Sequence, residues 1–376
     1  MDTNNLVDQI KKLISYHTVS TNKDEIRSCM EYIKSNLCHT STCKITEYEV
    51  NTNPIAIIST HDTKTPDVAF LCHIDVVSAH QRLFHMEKHK GKIIGRGVSD
   101  MKFSIPICAD ILTNAHSNYP NASIALILTS DEEHGGLNGA GYVANVLKYR
   151  PKLLFIPDGG NNWELVSQAK GVLHGTITVS GTSAHASQPW KGISANDKAL
   201  SILLQLRKLY KQPKIKSWNA ITMNIGVING GNSVNQVPNL CVIKLDFRYP
   251  NEKDKELILS NIKKLLSRKE TFSVFQADAF STDIRDTKIQ QYLSISEKII
   301  KRKIPVIKEY GASDARFFSI HNIPCIVIKP ECGGEHADNE WIDIKDMLSY
   351  HKTIHTYLTW YNEQYARSSP ASLLAE

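Results

Sequence analysis

No stretch of this 376-residue chain reaches the roughly 18 consecutive apolar residues that a membrane-spanning helix needs. Met1 to Ser20 lacks a basic segment followed by an apolar one, so no secretory signal is expected there. The eight cysteines, at positions 29, 38, 43, 72, 108, 241, 325 and 332, form no CxxC pair and keep no regular spacing. Cys72, Cys108, Cys241 and Cys325 lie within apolar runs and read as core thiols. The expected compartment is therefore the cytoplasm, with thiols reduced. Repeats and low-complexity tracts are absent. The excess of 44 basic over 38 acidic side chains gives a net charge of +6, spread along the chain. Its densest cluster, Lys301-Arg302-Lys303, reads as a solvated helix end. Without a basic stripe interleaved with aromatics no nucleic-acid partner is expected, and without a long apolar stretch no membrane partner is expected.

The chain does have the balance of an ordinary globular protein, 41% hydrophobic and 22% charged. Its length exceeds what one compact core usually holds, so two domains are expected. Leu6, Ile10, Leu13 and Ile14 recur at helical spacing and predict an amphipathic first helix. Strand-like and helix-like segments then alternate to about residue 170, with two strands within 45–59 and a helix over 104–115. The rhythm then changes. Strands over 175–181, 221–228, 240–249 and 272–280, with helices over 194–211 and 252–268, give the order βαββαβ of a small two-layer domain. Alternation resumes near residue 282 and ends on a helix beginning at Asp343. The expected fold class is α/β. Residues 1–170 and 284–376 would form a discontinuous mixed-sheet domain, with 171–283 inserted as a two-layer α+β unit.

Four short apolar runs each feed into residues able to hold a metal ion. Val68–Cys72 precedes His73 and Asp75, Ser123–Leu128 precedes Asp131-Glu132-Glu133, Lys152–Ile156 precedes Asp158, and Ile323–Ile328 leads to Gly333-Gly334-Glu335-His336. Such runs read as buried strands of a parallel sheet, whose sites form at the carboxyl ends of the strands. Ligands from distant segments would then converge on one edge, which points to a metal-dependent hydrolase. His73 and Asp75 are two apart and emerge on the same side, so one can ligate while the other accepts a hydrogen bond from the imidazole. Glu132 and Glu133 are adjacent; in extended backbone they point opposite ways, so one can bind metal while the other faces a water. Asp100 lies in the glycine-rich loop Gly95–Lys102, which opens onto a helix. Two histidines with several carboxylates suit a pair of Zn²⁺ ions, with Co²⁺ or Mn²⁺ possible and Mg²⁺ disfavoured.

The segments His73–Val77, Gly95–Lys102, Ser130–Glu133, Gly181–Ala186 and Asn235–Pro238 occur in order, and together they resemble the M20 metallopeptidase family. That group includes acetylornithine deacetylase, succinyl-diaminopimelate desuccinylase, carboxypeptidase G2 and aminoacylase. The resemblance implies that Asp100 bridges two metals, that His73 and Asp158 complete one and Glu133 and His336 the other. It implies that Asp75 orients His73, that Glu132 is the general base and that the peptide after Asp100 is cis. It further implies that 171–283 is a lid and dimerisation domain. His185 would reach across a homodimer interface to the reacting oxyanion, with Asn235 beside it. Arg248 and Arg316 are candidates for gripping a substrate carboxylate. The implied substrate is a small N-acylated amino acid or a short peptide. Two positions depart from the family pattern. Phe103 stands where a glycine is usual, narrowing that helix start, and Ala169 stands where the desuccinylases carry arginine. Competing readings are a zinc aminopeptidase of the related M28 type, and a catalytically silent binding protein of the same fold. The insert with Ser183–Ser187 argues against the first, and the presence of Glu132 with all five ligand candidates argues against the second.

Overall fold

Val68–His73, Ile124–Thr129, Leu154–Ile156 and Cys325–Val327 are short runs in which every residue is buried. They pair as parallel strands within a six-stranded sheet. A strand covered on both faces needs no polar alternation, which is why these segments read as continuous apolar runs. This architecture comes from a computed structural model that describes residues 2–38, 41–213 and 217–368.

The sheet is completed by the hairpin Lys44–Val50 and Asn53–Ser59, whose second strand lies antiparallel to Ile124–Thr129. The two turn residues, Asn51 and Thr52, have φ of 47° and 66°, the positive values that match a two-residue turn to the strand twist. The first helix, Thr3–Ile14, buries Leu6, Val7, Ile10, Leu13 and Ile14, and the Asp2 carboxylate caps it by accepting from the Asn4 and Asn5 amides. Phe70 and Phe155 stack across neighbouring strands at 5.4 Å, and Tyr292 and Tyr357 meet Phe155 edge-on. Phe103 belongs to this core. It is fully buried and packs edge-on against Tyr350, so its bulk fills the interior instead of narrowing the loop before it.

A second, antiparallel sheet in the same part of the chain joins Cys332–Gly333, Trp341–Asp343, Lys92–Ile94 and Glu87–His89. Two loops that leave this small sheet carry Asp100 and His336.

The chain divides into two compact units. One holds Met1–Ser167, Thr282–Ile307 and Ser313–Glu376, and the other holds Gln168–Ser281 with Lys308–Ala312. No feature of the sequence pattern had set Lys308–Ala312 apart. The second unit is a four-stranded antiparallel sheet, Thr222–Gly230, Leu240–Tyr249, Gly171–Ser180 and Thr271–Ala277 in spatial order. Its helices are Ala195–Leu209 and Glu252–Leu265. The strand expected to start at 175 starts at Gly171, because all ten of its residues pair with Leu240–Tyr249. On the outside, Leu200 and Leu204 sit one turn apart on the first helix and are more than half exposed. Val227 and Ile228 are exposed on the edge strand Thr222–Gly230.

Candidate metal centre

The parallel strands deliver their candidate ligands at one edge. His73 is the last residue of its strand and pairs with Thr129, the last residue of the neighbour that leads into Glu132 and Glu133. Ile156 pairs with Val327, two residues before Asp158. The Gly95–Lys102 loop brings Asp100 to the same place. Gly97 is obligatory there, with φ of 83° and with the Val76 side chain where a Cβ would project. The Asp100–Met101 peptide is cis.

Asp100 sits between the two histidines. Its Oδ1 lies 3.0 Å from His73 Nε2 and its Oδ2 lies 3.1 Å from His336 Nε2. Asp158 Oδ2 is 3.8 Å from His73 Nε2, and Glu133 Oε2 is 3.3 Å from His336 Nε2. Candidate ligand atoms therefore gather into two triads, His73–Glu132–Asp158 and Asp100–Glu133–His336, each within 4.8 Å. Imidazole and carboxylate are the donors that divalent transition metals prefer. The donor set fits a divalent metal ion.

The electrostatics have the same character. Burial disfavours a charge on His73, but its bonds to Asp100, Asp158 and Asp75 outweigh that and hold its pKa well above the ordinary value. Burial likewise resists ionisation of Asp100, and the bonds from His336 and His73 overcome it, keeping the carboxylate well below its usual range. His336 is pushed up to about 10 by hydrogen bonds to Asp100 and then Glu133. Burial and then the charge of Asp100 push Asp158 up to about 7. Glu132 is raised well above the carboxylate range by burial, then by the charges of Asp158 and Asp314. A carboxyl so placed is suited to carrying a proton.

Two details differ from expectation. Glu132–His134 is a short 3-10 turn, not extended backbone, so it is turn geometry that sends Glu132 and Glu133 to different triads. His73 Nδ1 donates to the backbone carbonyl of Asp75 at 3.0 Å, while the Asp75 carboxylate is 3.6 Å away. That carboxylate instead accepts from Ser20 Oγ and from the amides of Glu132 and Glu133. It positions the Glu132–His134 turn at least as much as the imidazole.

Arg316 requires correction as a substrate grip. It is 3% exposed, and its two terminal nitrogens donate to the Gly135 and Ser313 carbonyls. A guanidinium so enclosed ties the Gly135 turn to the segment carrying Asp314. In the second unit, Arg248 donates from Nε and Nη2 to Asp246 on its own strand, and its side chain is one-third exposed. A substrate carboxylate there would have to share the guanidinium with Asp246. His185 and Asn235 are exposed and lie together in that unit, where the Ala186 amide donates to the Asn235 carbonyl. Trp190 and Val234, exposed apolar residues of the same two loops, flank them in sequence.

Sequence reasoning missed the residues behind the candidate ligands. Glu340 is fully buried and accepts from the amides of Gly97, Ser99 and Asp100. Lys329, also fully buried, bonds to Glu335, which itself groups with Asp100 and Asp158. The available signal was weak: an acid just before the Trp341–Asp343 strand, and a lysine just after an apolar one.

The fold and this site are those of a metal-dependent hydrolase, and over most of its length the chain resembles M20 metallopeptidases. The model described as the M20 peptidase dimerisation domain matches residues 168–271. The chain is 26% identical over 335 residues to succinyl-diaminopimelate desuccinylase of Pelagibacter ubique, covering 81% of this chain and 86% of that protein. Its fold resembles a tripeptidase from Staphylococcus aureus, with a TM-score of 0.79, 17% identity, and 96% of this chain and 99% of the other covered. An M20 family metallo-carboxypeptidase from Sulfolobus solfataricus also gives 0.79, at 16% identity, covering 96% and 100%. Among the described residues, no helix is long and apolar enough to cross a membrane.

Proposed function

We propose that this protein is a dizinc amidohydrolase acting on a small N-acylated amino acid or a short peptide, as a homodimer joined through residues 171–283. The observation that carries the reading is Asp100, whose two oxygens each face a different histidine at about 3 Å. Bound between the two triads, Zn²⁺ would supply Lewis acidity toward the amide carbonyl and lower the pKa of a water. His73, Asp158 and Asp100 would hold one ion, and Asp100, Glu133 and His336 the other. Glu132 takes the proton of the attacking water and delivers it to the departing amine nitrogen. Asp75 holds the amides of Glu132 and Glu133 so that this carboxylate stays in place. His185 and Asn235 act on the partner's centre, where the imidazole stabilises the developing oxyanion.

The relatives named above act on a succinylated diamino acid and on peptides, which supports an amide of one of these classes. Ala169 favours the peptide or deacetylase side over the desuccinylase side. All eight cysteines are unpaired, which supports a reducing compartment such as the cytoplasm. The test is hydrolysis of N-acetyl amino acids, N-succinyl-diaminopimelate, dipeptides and tripeptides by zinc-loaded protein, beside a chelated control. Chelator-sensitive turnover of one class would identify the substrate. Two bound metals without turnover of any of them would favour the silent binding protein.

A further inference from the structure

Asp100 and His336 do not come from the main sheet. They lie on loops that leave Lys92–Ile94 and Cys332–Gly333, strands of the small antiparallel sheet. Main-sheet packing therefore cannot fix their separation from each other. Between the two loops lies a fully buried ion pair, with Arg96 Nη1 2.7 Å from Glu340 Oε2. Each partner reaches further. Glu340 Oε2 also accepts from the Gly97 amide at 2.9 Å, and Oε1 accepts from the Ser99 amide, the Ser99 hydroxyl and the Asp100 amide at 2.9, 3.1 and 3.2 Å. Arg96 Nη2 donates to the His336 carbonyl at 3.1 Å. One carboxylate thus holds the backbone that aims Asp100, and one guanidinium holds the backbone that aims His336.

We propose that Arg96 and Glu340 form a strut that sets the distance between Asp100 and His336, and that this strut fixes the metal affinity of the centre. Both are positioning residues. The inference rests on the metal-centre reading above. A buried ion pair is a weak source of net stability, because desolvation cancels much of its attraction. Geometry is the better account of its role, since groups that hold ligands in place typically govern 10- to 100-fold in metal affinity or activity.

The test uses two variants. Arg96→Lys keeps the charge opposite Glu340 but, with one ammonium for two arms, cannot span to the His336 carbonyl as well. Ser99→Ala removes only the hydroxyl bond to Glu340. Zinc affinity would be measured by competition with a chromophoric chelator, with circular dichroism and thermal melts of the chelated proteins alongside. The expected result is zinc affinity lowered by about tenfold or more in Arg96→Lys and by a smaller factor in Ser99→Ala, with far-UV spectra unchanged. Activity lost in Arg96→Lys should return in part at high zinc. A merely structural pair would lower the melting temperature without moving the affinity of the folded protein. Wild-type affinity in either folded variant would overturn the strut. Failure of the unmodified protein to bind zinc would instead overturn the metal-centre reading.

Discussion

The Asp75 carboxylate accepts the backbone N–H of Glu132, 3.3 Å from Oδ1. Its other oxygen takes the amide of Glu133 and the hydroxyl of Ser20. Asp75→Asn would put an amide NH₂ against these donors while leaving the His73 bond to the Asp75 carbonyl intact. Turnover is expected to fall by about 10- to 100-fold with KM little changed. Steady-state kinetics check this, and undiminished kcat would remove the positioning role.

Glu132→Gln keeps the shape of the side chain and removes its capacity to carry a proton. We expect kcat to fall by roughly 10²- to 10⁴-fold, while two zinc ions per subunit remain by elemental analysis. Loss of metal together with activity would mean that Glu132 is chiefly a ligand, in keeping with its place in the His73–Asp158 triad.

Acidity and metal binding should oppose each other. In chelated protein His336 titrates near 10 instead of its ordinary 6.5, so its stabilising contribution is complete below about pH 6.5 and fades as pH rises toward 10. Asp158 titrates near 7 instead of 3.8, so the unfolded chain releases that proton first and stability falls as pH rises from about 4 to 7. Cations displace the same protons and should bind more tightly as pH rises. The gain in Tm on adding zinc should therefore grow from about pH 5.5 to 8, with protons released in calorimetry. A gain that shrinks with pH would contradict these assignments.

Two inactive proteins should restore activity when mixed, if His185 serves the partner's centre. His185→Ala and Glu132→Ala homodimers would each be inactive, but subunit exchange creates one site with both residues intact. Mixing should recover up to about a quarter of wild-type activity, since half the dimers are hybrids with one good site each. No recovery despite exchange, followed by mass spectrometry of labelled subunits, would place His185 in its own subunit's chemistry or in none.

The two arginines should separate by readout. Arg316→Met breaks a buried contact 3.4 Å from Asp314 and abandons two carbonyls, and it should cost about 3–5 kcal/mol in denaturant melts. Arg248→Met should leave stability nearly unchanged and raise KM only for substrates with a free carboxylate. Equal KM values for substrates with and without that group would release Arg248 from substrate binding.

The sequence by itself determined the main elements and which segments carry the candidate ligands. Fully buried parallel strands must be apolar along their whole length, so the runs ending at Cys72, Leu128 and Ile156 stood out, and their topology makes the residues just beyond them converge. The antiparallel unit was legible for a similar reason, since its strands and helices change period at recognisable turns. Tertiary structure decided which groups meet across distant segments. Glu340 finds the Gly97–Asp100 amides through the register Trp341 with Ile94, a pairing between segments with no common local signal. Arg316 looked available because a guanidinium suits a carboxylate, and only packing reveals that carbonyls enclose it. Local pattern records what a residue can do; burial and hydrogen-bond partners, which come from the whole chain, decide what it is free to do.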